Sequence, residues 1–458
     1  MGATLWEATA GLLGPATLRI GVTGLARAGK TAFLTSVAAN LLGLGAGLPT
    51  LPALTLRLAG RTLRVGVAPA GAGPVPRFDH AGHLACLGAD PPRWPERTGA
   101  VSLLALDLEI GRAGLLAALP PRRLRLEFLD YPGEWLLDLA LLGDAFSVWS
   151  RAALRRLERA PTAQAGEFLG FVQGLPVRAP ADEALAAAGH RLYRATLQRL
   201  RDSAGLRFLQ PGRFLMPAPG PEPPWMGFFP TATSGGLGEL LTARYDAYRD
   251  AVRRDMADPL FGRVDRLVVL VDLLSALHEG AAAYADTAAA LAAAAAGLRW
   301  QRSWLDAVPL LRDLPLPFWL TAGVRRVAFA ATKADHVAER QRGNLAALAR
   351  SLTRLPDEAA GAPVQACAVA AIRCTEDFVW TLEGRPVSAV RGRVLGDTRM
   401  TRSYPGEVPD RPPDATFWAH PFLALPEFEP MRLPGAGSGG VPQLGLDTLL
   451  AWLLDDML

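Results

Sequence analysis

The sequence predicts an α/β fold, a mixed and mainly parallel sheet flanked by helices and interrupted by a large helical insertion. Three observations carry this. A β-branched run at 18–23 ends in a glycine-rich turn, after which apolar residues recur at helical spacing over 30–42. Buried-type strands return at 266–271 and 325–331, with helical patterns over 284–312 between them. From 143 to 259 no strong strand occurs. Arg- and Ala-rich helical patterns there, 145–159 and 183–203, alternate with Pro-rich loops such as 217–224.

The remaining elements follow from shorter signals. Residues 102–110 alternate apolar and polar, and 124–129 form an apolar strand leading into Asp130. Residues 54–58 and 62–67 alternate about Ala59-Gly60-Arg61, which predicts a hairpin, and 71–95 read as a long Gly/Pro loop. An apolar run at 365–372 completes the strands. Residues 384–440 read as irregular and Pro-rich, and 444–458 as a Leu-rich amphipathic helix.

Composition narrows the function classes. Of 458 residues 50% are hydrophobic and 20% charged, enough for a large core and against global disorder. Three cysteines, Cys86, Cys367 and Cys374, exclude a disulfide framework and favour a cytoplasmic location; no zinc spacing occurs. Cys367 and Cys374 read as small hydrophobes of the last strand. A net charge of +4 is small, and the clusters at 121–125 and 151–159 read as solvated faces, which argues against nucleic acid as a partner. The start lacks signal-peptide character, and Trp6 stands where a myristoylation motif needs Ser or Thr. The most membrane-like stretch, 280–298, is mostly alanine and contains Asp286, so any membrane contact is expected to be peripheral. The basic residues are 46 arginines and two lysines, Lys30 and Lys333. Where Arg has replaced Lys almost everywhere, the two that remain mark places where a compact ammonium on a slim stem is required.

Both lysines fall in motifs. Gly24-Leu25-Ala26-Arg27-Ala28-Gly29-Lys30-Thr31 matches G-x-x-x-x-G-K-[ST] between a predicted strand and a predicted helix. In that context the backbone of Gly24, Ala26, Arg27, Ala28, Gly29, Lys30, Thr31 and Ala32 curls around phosphate groups at a helix N-terminus. Lys30 would bridge β- and γ-phosphate oxygens, and Thr31 would offer its hydroxyl to Mg²⁺. Asp130-Tyr131-Pro132-Gly133 follows the strand 124–129. Its carboxylate can hold Mg²⁺ through the water shell, and the Gly133 N–H can sense the γ-phosphate. Thr332-Lys333-Ala334-Asp335 follows the strand 325–331 and matches [NT]-K-x-D. Asp335 can accept from both N1–H and N2–H₂ of guanine, a donor pair that adenine lacks. Thr98 fits a threonine closing over the γ-phosphate and Mg²⁺, with Ser102 as alternate. The 370–375 loop, with Ala371 and Ile372, is in position to present backbone N–H groups to guanine O6.

The order of these motifs resembles the Ras-like, translation-factor class of P-loop GTPases. More narrowly, Gly24 to Phe33, Asp130-Tyr131-Pro132-Gly133-Glu134-Trp135-Leu136-Leu137-Asp138-Leu139, Val271-Asp272-Leu273-Leu274-Ser275-Ala276-Leu277 and Arg373-Cys374-Thr375-Glu376 resemble the YcjX-like family of bacterial stress-associated GTPases. The likeness runs nearly end to end, through Phe417-Trp418 and the C-terminal helix. It implies GTP/GDP and Mg²⁺ as ligands, hydrolysis of GTP, and a nucleotide-controlled switch in a stress response. The expected organisation is a first core half at 1–143, a helical insertion at 144–260, a second core half at 261–383, an irregular extension at 384–440 and a C-terminal helix at 441–458. A protein partner or a homodimer through the insertion completes the expectation.

Two positions depart from the class pattern. Glu134 stands where many Ras-like GTPases place a water-orienting Gln, and a carboxylate beside a triphosphate meets like-charge repulsion. Arg27 stands where some relatives use Asn to hold potassium, so its guanidinium could replace that ion, act as an arginine finger, or face solvent. Asp272 reads as a capping carboxylate, or one that supports a neighbouring site residue, rather than a catalyst, and Asp79, His80 and His83 as a metal-like spacing without further ligands. The alternatives to a GTPase are a non-hydrolysing guanine-nucleotide module, and an ATPase or small-molecule kinase.

Overall fold

In a computed structural model, which describes residues 16–25, 27–69, 75–95, 101–114, 117–217, 220–257, 264–299, 324–353, 363–397, 399–420, 422, 425–433 and 439–458, the first apolar run becomes the middle strand of a seven-stranded sheet. Strand β1 (Ala16–Gly24) buries Leu18, Ile20 and Val22 on one face. The others are β2 (Leu63–Val67), β3 (Ser102–Ile110), β4 (Arg122–Asp130), β5 (Arg266–Val271), β6 (Arg326–Ala331) and β7 (Val364–Ala368). Their order is β2-β3-β4-β1-β5-β6-β7. β4, β1, β5, β6 and β7 run parallel, and β2–β3 and β3–β4 pair antiparallel, so the sheet is mixed and mainly parallel as expected.

Parallel strands end on one edge, and register fixes what meets there. Val22 pairs with Asp130, Gly24 with Leu270, Val271 with Ala331, and Ala331 with Ala368. Because β3 is antiparallel to β4, its first residue, Ser102, also lies on this edge, opposite Asp130. In open α/β sheets this carboxyl edge is where ligands bind.

The chain divides into two units. The first comprises Met1–Tyr131, Arg263–Gly280 and Arg302–Leu458; the second comprises Pro132–Gly262 and Ala281–Gln301. Besides the sheet, the first unit holds helices α1 (Lys30–Gly45), α2 (Pro52–Leu58), α3 (His80–Leu87), α4 (Leu273–Glu279), α5 (Glu339–Thr353) and α6 (Leu446–Leu454). In α6 Leu446, Leu449, Leu450 and Leu453 are buried at i, i+3, i+4 and i+7, which turns one helical stripe into the first unit's core. Fully buried Arg266 pairs with Asp456 just beyond that helix.

The second unit is helical: Phe146–Glu158, Thr162–Gln173, Glu183–Ala204, Gly236–Val252 and Ala281–Arg299. Trp149 stacks on Tyr245 with centroids 5.1 Å apart, and Phe228 meets both edge-on. Asp286 interrupts the alanine-rich helix for a reason. Its carboxylate accepts from the N–H groups of Arg207 and Phe208 at 2.6 and 2.9 Å. No helix among the described residues is long and apolar enough to cross a membrane.

Several elements differ from the sequence reading. Residues 54–58 form a helix rather than half of a hairpin. Leu54 and Leu58 satisfy both a period of two and an i,i+4 pair, and Leu56, 81% exposed, shows which period won. β2 pairs with β3 instead. Within the expected loop 71–95, Asp79 accepts from Gly82 N–H at 2.9 Å and caps α3. The strand expected over 365–372 ends at Ala368. The stretch 384–440 is not irregular throughout: β9 (Arg385–Arg393) and β10 (Met400–Ser403) form a three-stranded antiparallel sheet with β8 (Thr375–Leu382). The helix Ala281–Arg299, expected in the 261–383 core half, clusters with the second unit.

Candidate functional site

The loop after β1 is shaped by two close constraints. A Cβ at Gly24 would lie 2.6 Å from the Leu270 carbonyl oxygen, so only glycine lets β1 and β5 approach this closely. Arg27 (φ 66°) and Gly29 (φ 79°) are both left-handed, which bends the chain sharply into α1 at Lys30. Leu25 N–H donates to Leu270 O at 3.2 Å, and Ala28 N–H donates to Leu25 O at 3.1 Å. Ala28 is buried in the core and anchors the loop, whereas Arg27 is exposed and Lys30, Thr31 and Ala32 are half-buried. Ala26 lies outside the described residues. The first turn of α1 carries no acidic side chain, so no carboxylate of that turn opposes the positive end of its dipole.

Beside this loop, Asp130 is buried as the last residue of β4, and Tyr131 N–H donates to Val22 O at 2.9 Å. Ser102, opposite it, has a buried hydroxyl with no hydrogen-bond partner among the described residues. Thr98 lies outside the described residues. The chain passes from the first unit to the second between Tyr131 and Pro132, inside the D-x-x-G run.

Gly133 and Glu134 therefore belong to the second unit, where they open a short helix, Gly133–Leu136; Gly133 is buried and Glu134 half-buried. The residues that follow are tightly held. Trp135 Nε1 donates to Met216 O at 2.7 Å, and Gln210 Nε2 donates to Leu137 O at 2.7 Å. The Asp138 carboxylate accepts from Gly212 N–H (2.7 Å), Arg213 N–H (3.2 Å) and Tyr248 OH (2.6 Å). Burial pushes its carboxyl up to about 6 despite those donors and nearby Arg213.

The third motif sits past β6. Thr332 N–H donates to Val271 O at 2.9 Å, and Ala334 N–H donates to Val369 O at 3.3 Å, which clips the turn to both neighbouring strands. Lys333 is left-handed (φ 59°). Asp335 is buried; its Oδ2 accepts from Cys374 N–H at 2.6 Å, and its carbonyl accepts from the Thr375 hydroxyl. Cys374 thus lies beyond β7, and its backbone is used to orient Asp335. Lys333 Nζ reaches Asp272 Oδ2 at 2.6 Å and donates to Ser275 Oγ at 3.2 Å. Asp272 accepts from Ser275 N–H (3.0 Å) and Ser275 OH (2.6 Å), capping α4. Burial alone would raise the Asp272 carboxyl, but the Lys333 ammonium and these hydrogen bonds hold it below the usual carboxylate value. After β7, Ala370 N–H donates to Leu444 O (2.9 Å) and Arg373 N–H to Pro442 O (2.7 Å), which brackets Ala371 and Ile372. The Ile372 side chain packs against Ala39, Leu87 and Val441.

The first unit's carboxyl edge thus brings together Gly24 and Leu25, Arg27 to Thr31, Ser102, Asp130, Thr332 to Asp335 and the Ala371–Ile372 segment. Asp272, Ser275 and Cys374 join them without having been expected as site residues. The Asp79, His80 and His83 spacing resolves into a helix cap and a ring contact, His83 lying 4.8 Å from Phe78. Among the described residues one group of metal-type donors occurs, Asp335, His336 and Cys374, all within 4.8 Å. Burial first, then the Asp335 charge, pushes the Cys374 thiol well above its ordinary value, which favours the neutral thiol over a thiolate ligand.

Comparison with known proteins identifies the family. A model of the YcjX-like family (DUF463) matches residues 18–458. A protein of Escherichia coli strain K12 named Ras-like GTPase YcjX is 33% identical over 460 residues, covering 96% of each chain. One of the same name from Shewanella oneidensis strain MR-1 is 31% identical over 471 residues, covering 96% of this chain and 94% of its own. With matches of that extent, the chain belongs to the YcjX-like family.

Proposed function

We propose that this chain binds GTP at the carboxyl edge of its seven-stranded sheet and hydrolyses it to GDP and phosphate with Mg²⁺, as a nucleotide-controlled switch. The reading rests above all on strand register, which brings a phosphate-type loop, a buried strand-end carboxylate and an oriented [NT]-K-x-D turn to one edge of one unit. The two relatives, both named Ras-like GTPase, support guanine nucleotide as the ligand.

In this reading the N–H groups of the 24–32 loop surround the phosphates, and Lys30 contacts the β- and γ-oxygens. Asp335 accepts from guanine N1–H and N2–H₂ while the N–H groups of Ala371 and Ile372 face O6. Thr31, Asp130 and the buried Ser102 hydroxyl offer only oxygen donors, a set that fits Mg²⁺, with Thr98 as a further donor. When bound, Mg²⁺ neutralises charge on the β- and γ-phosphates. Water attacks the γ-phosphorus, the bond to the β–γ bridging oxygen breaks, and the water proton passes to the released phosphate. By the D-x-x-G pattern of the sequence alone, Gly133 would sense the γ-phosphate and Glu134 would orient that water. Because Glu replaces Gln there, intrinsic turnover is slow and rises when a protein partner or second copy engages the helical unit. Adenine use needs Asp335 turned from the base, which the hydrogen bond from Cys374 opposes, and a kinase would need an acceptor site, for which the sequence carries no signature.

The test is single-turnover phosphate release from GTP. Wild type should release phosphate only with Mg²⁺, and Lys30→Ala should lose it by about a hundredfold or more. Tight GTP binding without release above background would instead support the non-hydrolysing module.

A further inference from the structure

We propose that Asp272 is a positioning residue for guanine recognition: with Ser275 it holds the Lys333 ammonium, and so presets the turn that carries Asp335. The proposal rests on the guanine reading above.

Asp272 is the first residue past β5, the strand between β1 and β6, and so lies between the phosphate-type loop and the Thr332–Asp335 turn. Capping α4 requires only one carboxylate oxygen, and Oδ1 meets it by accepting from Ser275 N–H at 3.0 Å. Oδ2 is left for another task. It lies 2.6 Å from Lys333 Nζ, and Ser275 Oγ braces the pair by donating to Oδ2 and accepting from Nζ. Asparagine would cap the helix equally well, but only a carboxylate can neutralise the ammonium at a site this buried.

Lys333 needs such a hold for two reasons. Its φ of 59° is unfavourable for a side chain with a Cβ, and its four-carbon stem is otherwise free to rotate. Among the described residues four non-glycines have positive φ, and two of them, Arg27 and Lys333, lie in the nucleotide motifs. Fixing the ammonium before the base arrives lays the stem where the base plane will rest and removes an ordering cost from binding. It also accounts for lysine in an arginine-rich chain: a planar fork would spread across Asp272 and Ser275 where a single point charge seats between them.

The test is Asp272→Asn, with affinities for GDP and ADP measured by titration calorimetry, alone and in a Lys333→Met background. GDP affinity should fall about tenfold or more, ADP affinity should stay within about twofold, and the Asp272→Asn effect should vanish once Lys333 is gone. Ser275→Ala keeps the carboxylate and should show a smaller loss in the same direction, which covers the case in which Asp272→Asn does not fold. Equal losses for GDP and ADP, or a loss that persists with Lys333→Met, would mean that Asp272 does not act on guanine recognition through Lys333. A wild type with no preference for GDP over ADP overturns the guanine reading and this proposal together. A wild-type preference that Asp272→Asn and Ser275→Ala leave intact overturns this proposal alone.

Discussion

Asp272 in the first unit and Asp138 in the second are both essentially inaccessible to water, and each carboxylate accepts at least two short hydrogen bonds. Their acidities nonetheless move in opposite directions, Asp272 down and Asp138 up to about 6. Donor count does not explain this, because Asp138 accepts from three groups and Asp272, Lys333 included, from no more. The difference is a dedicated cation. Lys333 sits 2.6 Å from Asp272, whereas Arg213, the cation near Asp138, is paired with Asp255 at 3.1 Å. At Asp272 the first unit's edge is therefore held by a full ion pair. The second unit holds the segment after the D-x-x-G run by dipoles and packing.

Removing the cation tests this most severely. Lys333→Met strands the Asp272 charge and should cost about 3 kcal/mol at pH 7, the low end for a broken buried pair because Lys333 is 37% exposed. The sign with pH is set by the depressed carboxyl. The pair's stabilisation is present above the unfolded value of 3.8 and is lost as pH falls through the lower folded value. Thermal melts of wild type and Lys333→Met should therefore converge below about pH 4.

Asp138 should behave in reverse. Its carboxyl is raised, so its contribution to stability is fully present below 3.8 and is lost as pH rises through about 6. At pH 7 the ionised, buried carboxylate costs the second unit about 2 to 3 kcal/mol. Asp138→Asn should remove that pH dependence, while its NH₂, which cannot accept, leaves one of the Gly212 and Arg213 amides without its acceptor and speeds exchange there. Exchange at those amides that is indifferent to pH between 5 and 7 in wild type, after correction for intrinsic rates, would contradict the comparison.

The smallest effect is expected at Arg27. Arg27→Gly relieves a left-handed penalty of about 1 kcal/mol but loosens the unfolded chain by nearly as much. Stability should shift by less than about 0.5 kcal/mol, so any loss of GTP affinity or turnover reports the guanidinium rather than the backbone. Arg27→Ala keeps the strain and separates the two contributions.

What could be read from sequence follows the same division. Strands with an unbroken apolar or alternating run, 102–110 and 266–271, matched to the residue, and the three motifs fell on the turns expected of them. The short run 54–58 misled because its leucines fit two periods. The Ala281–Arg299 helix joined the second unit because an alanine-rich helix with little amphipathic bias names no neighbour. The pairing of Asp272 with Lys333 spans 61 positions and became visible only when β5 and β6 lay side by side, as did the hydrogen bond from Cys374 to Asp335. The anchoring of Asp138 by Gly212 and Tyr248 had no local signal beyond its place in the Asp130–Leu139 block.

The central claim, that the first unit's carboxyl edge is a guanine site read by Asp335, is tested most directly by equilibrium binding of GDP, ADP and xanthosine diphosphate to wild type and Asp335→Asn. Wild type should bind GDP at least about a hundredfold tighter than ADP. Asp335→Asn should lose that preference and gain xanthosine diphosphate, because its amide N–H₂ donates to the xanthine O2 that replaces the guanine amine. Equal affinity of wild type for GDP and ADP, or an Asp335→Asn variant that still prefers GDP, would contradict the account.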